Sequence, residues 1–102
     1  HGKGVFVSRT DSFTYYGEWN LGKMSGKGIA EYKSGARYMG EWSEGMRNGF
    51  GLLVYSSGNY YLGHWKNDKK DGYGEMTWRE FDSEAKRYRD LEVYLGFWQA
   101  DK

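Results

Sequence analysis

Tyr15-Tyr16-Gly17-Glu18-Trp19 returns as Tyr38-Met39-Gly40-Glu41-Trp42 and again as Tyr61-Leu62-Gly63-His64-Trp65, at one constant interval along the chain. A fourth copy, Tyr94-Leu95-Gly96-Phe97-Trp98, follows after a longer one. Downstream of the first three copies stands a Gly-x-Gly pair: Gly26 and Gly28, Gly49 and Gly51, Gly72 and Gly74, with Gly2 and Gly4 as the remnant of an earlier unit. The other glycines also hold slots, Gly22 with Gly45, where the third unit has Asp68, and Gly35 with Gly58. A fixed period of this kind marks a repeat architecture.

Within a unit, Y-x-G-x-W and G-x-G-x-x-x-(Y/W) alternate with period 2, which predicts two strands and so one β-hairpin per unit. Tyr15, Gly17 and Trp19 share one face, and Tyr16 and Glu18 the other. If the hairpin closes over Asn20 to Ser25, Trp19 falls opposite Gly26 and Gly17 opposite Gly28. An indole then lies flat over a residue without a side chain. Gly22, Gly45, Gly35 and Gly58 are read as turn glycines, and Asn48-Gly49 and Asp71-Gly72 as turn dipeptides. Hairpins joined head to tail predict an all-β fold, an elongated antiparallel meander with no large central core.

Composition agrees with this reading and removes other classes. The 102 residues include 20% aromatics, 16 Gly, no Pro and no Cys. Absent cysteine excludes disulfide scaffolds, cysteine-ligated zinc and cysteine catalysis, and it suits a reducing compartment. Absent proline fits a ladder that needs every backbone N–H. Mean hydropathy of −0.93, with no long apolar run, leaves no candidate for a membrane-spanning helix. A net charge of +1, from 15 basic and 14 acidic side chains, provides no uniform field for nucleic acid.

The Tyr, Gly, Trp, Gly, Gly frame resembles the MORN repeat, the membrane occupation and recognition nexus, over essentially the whole chain. The reading divides residues 1–102 into a partial unit at 1–14, units at 15–37, 38–60 and 61–93, and a partial unit at 94–102. Since both ends fall within a unit, a piece of a longer array is expected. The departure is an insertion within 79–93, R-E-F-D-S-E-A-K-R-Y-R-D-L-E-V. It is expected to form an elongated exposed hairpin or a short helical turn, or a decoration that contacts a partner.

Candidate sites follow from the two faces. Regular spacing assigns Tyr15, Gly17, Trp19, Tyr38, Gly40, Trp42, Tyr61, Gly63, Trp65, Tyr94, Gly96 and Trp98 to a structural frame. On the opposite face the first unit is polar, with Glu18, Lys27 and Glu31. Later units carry Met39, Phe50, Leu52, Val54, Leu62, Tyr73, Leu95 and Phe97, an apolar strip suited to an extended peptide or an amphipathic helix of a partner protein. Basic residues at the hairpin turns, Lys23, Lys27, Arg47, Lys66, Lys69 and Lys70, form an alternative edge for an anionic phosphoinositide membrane, although Glu44, Asp68 and Asp71 are interspersed. His64 stands without metal-ligating company, no catalytic set is in phase, and neither metal nor cofactor is expected.

The resemblance implies a non-catalytic interaction and scaffolding module, cytoplasmic and cytoskeletal or ciliary. Arrays of the family also occur fused to kinase and methyltransferase domains. The variants M-R-N-G-F-G-L (46–52) and Y-L-G-H-W (61–65), with a widened unit after G-E-M-T-W (74–78), look most like radial spoke head proteins of motile cilia.

Overall fold

The computed structural model describes residues 3–9 and 13–102. Its strands are β1 (Lys3–Arg9), β2 (Phe13–Asn20), β3 (Lys23–Tyr32), β4 (Arg37–Ser43), β5 (Met46–Val54), β6 (Tyr60–Lys66), β7 (Lys69–Asp82) and β8 (Arg87–Trp98). They form one antiparallel sheet in strict chain order. The result is a ribbon with principal extents of 48, 30 and 18 Å. The fold is all-β with one hairpin per unit, as the alternation requires.

The hairpins close more tightly than expected. The stretch 20–25 is not a loop: only Leu21 and Gly22 leave the ladder, as do Glu44 with Gly45 and Asn67 with Asp68. Both residues of each pair have positive φ, 52° and 79° in the first. That geometry belongs to the two-residue turn whose twist matches the flanking strands. Asn48-Gly49 and Asp71-Gly72 are therefore strand residues and not turns. Gly49 and Gly72, like Gly26, have positive φ at a bulge that gives the second strand two extra residues, repeated in every hairpin of the three full units.

The bulge changes one expected register and leaves the other intact. Gly17 does pair with Gly28, but Trp19 faces Met24. Gly26 faces instead Trp42, the indole of the following unit. The glycine pairs continue as an unbroken row, Gly17, Gly28, Gly40, Gly51, Gly63, Gly74 and Gly96. The N-terminal remnant is offset from this row: Gly4 faces Trp19 and Phe6 faces Gly17, while Gly2 lies outside the described residues.

Tyrosine, not tryptophan, covers the glycines. A Cβ placed on Gly28, Gly51 or Gly74 would land on the phenol of Tyr15, Tyr38 or Tyr61 respectively. Each phenol lies along its own strand and donates its hydroxyl to the carbonyl three residues on, Glu18, Glu41 or His64, at 2.9 to 3.0 Å. These three tyrosines are 0% exposed.

The indoles stand edge-on between them. Trp19, Tyr15, Trp42, Tyr38, Trp65, Tyr61, Trp98 and Tyr94 form a zigzag with centroids 5.1 to 5.6 Å apart and planes 84° to 90° from parallel, the edge-to-face arrangement that ring quadrupoles favour. Trp42 and Trp65 donate Nε1 to the carbonyls of Gly28 and Gly51 at 3.2 Å. The core is thus a single layer of rings, extended by Ala30, Leu53 and Met76.

Burial has a titration consequence. It pushes the Tyr15 and Tyr61 phenols up from 10.0 to about 12, helped at Tyr15 by the Glu18 charge, and raises Tyr38 too. Between these values the native chain holds protons that the unfolded chain has lost, so the contribution to stability is complete below pH 10 and falls as pH rises towards 12. Alkaline titration should show tyrosinate absorbance appearing in two stages, the second coincident with loss of tryptophan fluorescence structure. A single smooth stage across all the tyrosines would contradict the buried layer.

Candidate functional site

Turning the rings to one face leaves the alternate positions on the other. Across strands β2 to β6, Tyr16 faces Ile29, Ile29 faces Met39, Met39 faces Leu52 and Leu52 faces Leu62. The row then meets Glu75, which faces Leu62 on one side and Leu95 on the other. Beside it runs Phe50 with His64, then Tyr73 with Phe97, each pair edge-on at 5.4 to 5.5 Å.

Two connected grooves lie along these rows. One of about 530 Å³ is lined by Tyr16, Ile29, Met39, Phe50, Leu52 and Leu62. The other, of about 210 Å³, shares Phe50 and Leu62 and continues to Tyr73, Glu75 and Leu95. Of the anticipated strip, Phe50, Leu62, Tyr73, Leu95 and Phe97 are exposed, Phe97 by 76%. Met39, Leu52 and Val54 are half-buried in it.

The first unit is not the polar exception it was expected to be. Tyr16 and Ile29 belong to the apolar row, and both were legible in principle as the slots of Met39 and Leu52 one repeat later. Glu75 was also missed, standing in the slot of Ile29 and Leu52. Its Oε2 accepts from the Tyr60 hydroxyl at 2.9 Å and the Thr77 hydroxyl at 3.1 Å, which holds the carboxylate in place at the end of the row. Two further carboxylates bind the backbone near the bulges: Glu18 accepts from the Lys27 N–H at 3.0 Å and Glu41 from the Phe50 N–H at 2.6 Å.

The basic turn residues divide between the faces. Lys23, Lys66 and Lys69 are exposed, with Lys23 3.7 Å from Glu44. Lys66 and Lys69 face one another across β6 and β7. Arg47 and Lys70 do not join an exposed edge. The Arg47 guanidinium lies 4.7 Å from the Trp65 ring centre, and Asp68 Oδ1 accepts from its Nε at 3.2 Å and from its backbone N–H at 2.7 Å. Lys70 Nζ lies 4.9 Å from the Trp98 ring centre and donates to the Tyr55 hydroxyl at 3.2 Å. Met24 holds the same slot in the first unit, packed on the core.

A cation over the next unit's indole is therefore part of the unit-to-unit contact at Arg47 and Lys70. Arg47→Met keeps an apolar side chain over the Trp65 ring and should cost about 1 kcal/mol for the lost guanidinium bonds, whereas Arg47→Ala loses the stacking as well and should cost about 2 kcal/mol. Urea denaturation checks the order, and equal losses would refute it.

The insertion forms a continuation of the β7–β8 hairpin, closed by residues 83–86, with the Asp82 carboxylate accepting from the N–H groups of Glu84 and Ala85. Arg79 ties its base to the array. Its guanidinium sits between the rings of Tyr60, at 5.2 Å, and Tyr88, at 4.7 Å, and its Nε donates to the Gly58 carbonyl at 2.7 Å.

The family description MORN repeat matches residues 15–37, 38–60 and 61–82. The chain belongs to the MORN repeat family. These segments are the units marked out by Tyr15, Tyr38 and Tyr61, and the third match stops where the widened hairpin begins to turn. A search of curated proteins returned no significant match. MORN repeats are in general modules of protein and lipid interaction. Among the described residues no group of three or more His, Asp or Glu side chains is placed to hold a metal ion.

Proposed function

We propose that this MORN array is a non-catalytic docking scaffold that seats another protein on the apolar row, within a multi-subunit cytoskeletal assembly of the kind found in ciliary axonemes. The observation that carries the reading is the row itself. Five apolar side chains from five consecutive strands share the face opposite the packed rings, next to exposed Phe50, Tyr73 and Phe97. Isolated apolar side chains on a surface are ordinary, but a contiguous patch marks an interaction site. The radial spoke resemblance of residues 46–52 and 61–65 favours the ciliary setting.

Leu52→Asp and Phe97→Asp lie on this face and outside the ring layer. Each should reduce capture of the partner by more than about tenfold with unchanged near-ultraviolet circular dichroism. Retained capture with the fold intact would remove the row from the interface.

A second reading has its own observation. Lys66 and Lys69 are like charges directly opposed across two strands, an arrangement that costs stability unless an anion sits between them. Anionic vesicles test it: salt-sensitive sedimentation abolished by charge reversal at both lysines favours a membrane contact.

A further inference from the structure

We infer that the occupant of the groove is a basic amphipathic α-helix lying across the strands. The inference rests on the docking reading above and names the partner's chemistry.

Backbone accounting separates helix from strand. The groove lies on the interior of the sheet, where β3, β4 and β5 each have a hydrogen-bonded neighbour on both sides. A ligand on this face meets side chains and finds no free ladder to join, unlike a strand added at a sheet edge. An extended peptide would turn half its amides towards Ile29, Met39, Leu52 and Leu62. Each buried amide left without a partner costs about 1 to 3 kcal/mol. A helix satisfies its amides internally and brings only side chains to the contact.

The spacing fits as well. Neighbouring strands lie about 4.8 Å apart, so the row from Tyr16 to Leu62, one side chain from each of five strands, runs about 19 Å. That is roughly three and a half helical turns of about 5.4 Å. Apolar side chains at i, i+3, i+4 and i+7 then meet successive strands.

Charge chooses the helix's flanks. Glu18 and Glu41 stand along one side of the row, anchored by backbone N–H groups, and Glu75 closes its end, anchored by Tyr60 and Thr77. Lys27, across the ladder from Glu41, is the cation among them. On the other side Arg37 is 3.6 Å from Glu31 and offsets it, and the Arg79 guanidinium, held by the Gly58 carbonyl, lies 5.2 Å from the Tyr60 ring and offsets part of the remaining charge. Lys66 and Lys69 lie beyond the residues that line the grooves. The row is thus bordered by an excess of fixed carboxylates, which lysine or arginine on the helix complements and an acidic helix would meet with repulsion.

The test uses fluorescence anisotropy of the folded chain with four labelled peptides of about 16 residues. The first is a leucine-striped helix with lysine flanks, the second the same stripe with glutamate flanks. The third is the lysine peptide with two central prolines, and the fourth alternates leucine and lysine as a strand. The first should bind at least about tenfold more tightly than the others. It should lose about tenfold on Leu52→Asp and severalfold on Glu75→Gln.

Equal binding of the proline or alternating peptide, still sensitive to Leu52→Asp, would overturn the helix and keep the groove. Equal binding of the glutamate peptide would overturn its basic character. Binding of no peptide, or binding indifferent to Leu52→Asp, would overturn the groove itself.

Discussion

Tyr38→Ala is expected to destabilise the array by about 4 kcal/mol, the range of a large buried ring removed from a close-packed core. Tyr38 is 0% exposed, and its phenol stands edge-on to two indoles, Trp42 at 5.1 Å and Trp65 at 5.5 Å. Its hydroxyl donates to the Glu41 carbonyl. The substitution therefore uncovers Gly51, breaks the ring zigzag at its centre and detaches one unit from the next. Stability in repeat arrays is carried by such neighbour contacts.

Tyr38→Phe removes only the hydrogen bond and should cost about 1 kcal/mol. Tyr94→Ala is the comparison within the same slot: Tyr94 is 44% exposed and has one edge-on indole at 5.4 Å. Urea unfolding followed by tryptophan fluorescence ranks the three. If Tyr38→Ala cost no more than Tyr94→Ala, the ring layer would not be the core.

Gly51→Ala should cost about 3 kcal/mol, at the upper end for overpacking a filled site. Its new methyl group would occupy the place of the Tyr38 phenol. The ring has no free direction, because the sheet lies beneath it and indoles flank it. Gly45→Ala adds the same methyl group with a different result. Nothing lies within 4 Å of a Cβ there, and φ is +81°, so the cost is the left-handed backbone alone, about 1 kcal/mol. Thermal unfolding of both variants tests the distinction. Equal shifts in Tm would mean that Gly51, like Gly45, is present for backbone freedom and not for the ring.

These two glycines show how much of the fold was legible. Their recurrence in successive units, beside tyrosine and tryptophan, reveals the hairpin, and the Gly17 to Gly28 pairing follows from alternation alone. What alternation does not contain is the bulge. Two extra residues on the second strand, between the paired glycines and the turn, keep the faces unchanged while moving the partner of Trp19 from Gly26 to Met24. The tyrosine then occupies the glycine row, a role that had been expected of tryptophan.

The candidate face was legible in the same partial way. Phe50, Leu52 and Leu62 are apolar residues at positions opposite the frame, which period 2 discloses. Tyr16 and Ile29 escaped because Glu18, Lys27 and Glu31 surround them in sequence, although on the sheet they align with Met39 and Leu52. Glu75 escaped for the converse reason: its carboxylate breaks the apolar pattern, and only pairing with Tyr60 and Thr77 shows how it is held there.

By itself the sequence determined the repeat, the hairpin in each unit and the two faces, because all three depend on the spacing of residues within and between copies of one short unit. The tertiary structure alone decided which ring covers each glycine, and that Arg47 and Lys70 stack on indoles instead of joining Lys66 and Lys69 at an exposed edge. The physical reason is that these choices depend on pairing between strands, which the spacing of residues along the chain does not contain. A bulge within each hairpin shifts the register of its two strands, and the indole that receives a cation comes from the following repeat, Trp65 for Arg47 and Trp98 for Lys70.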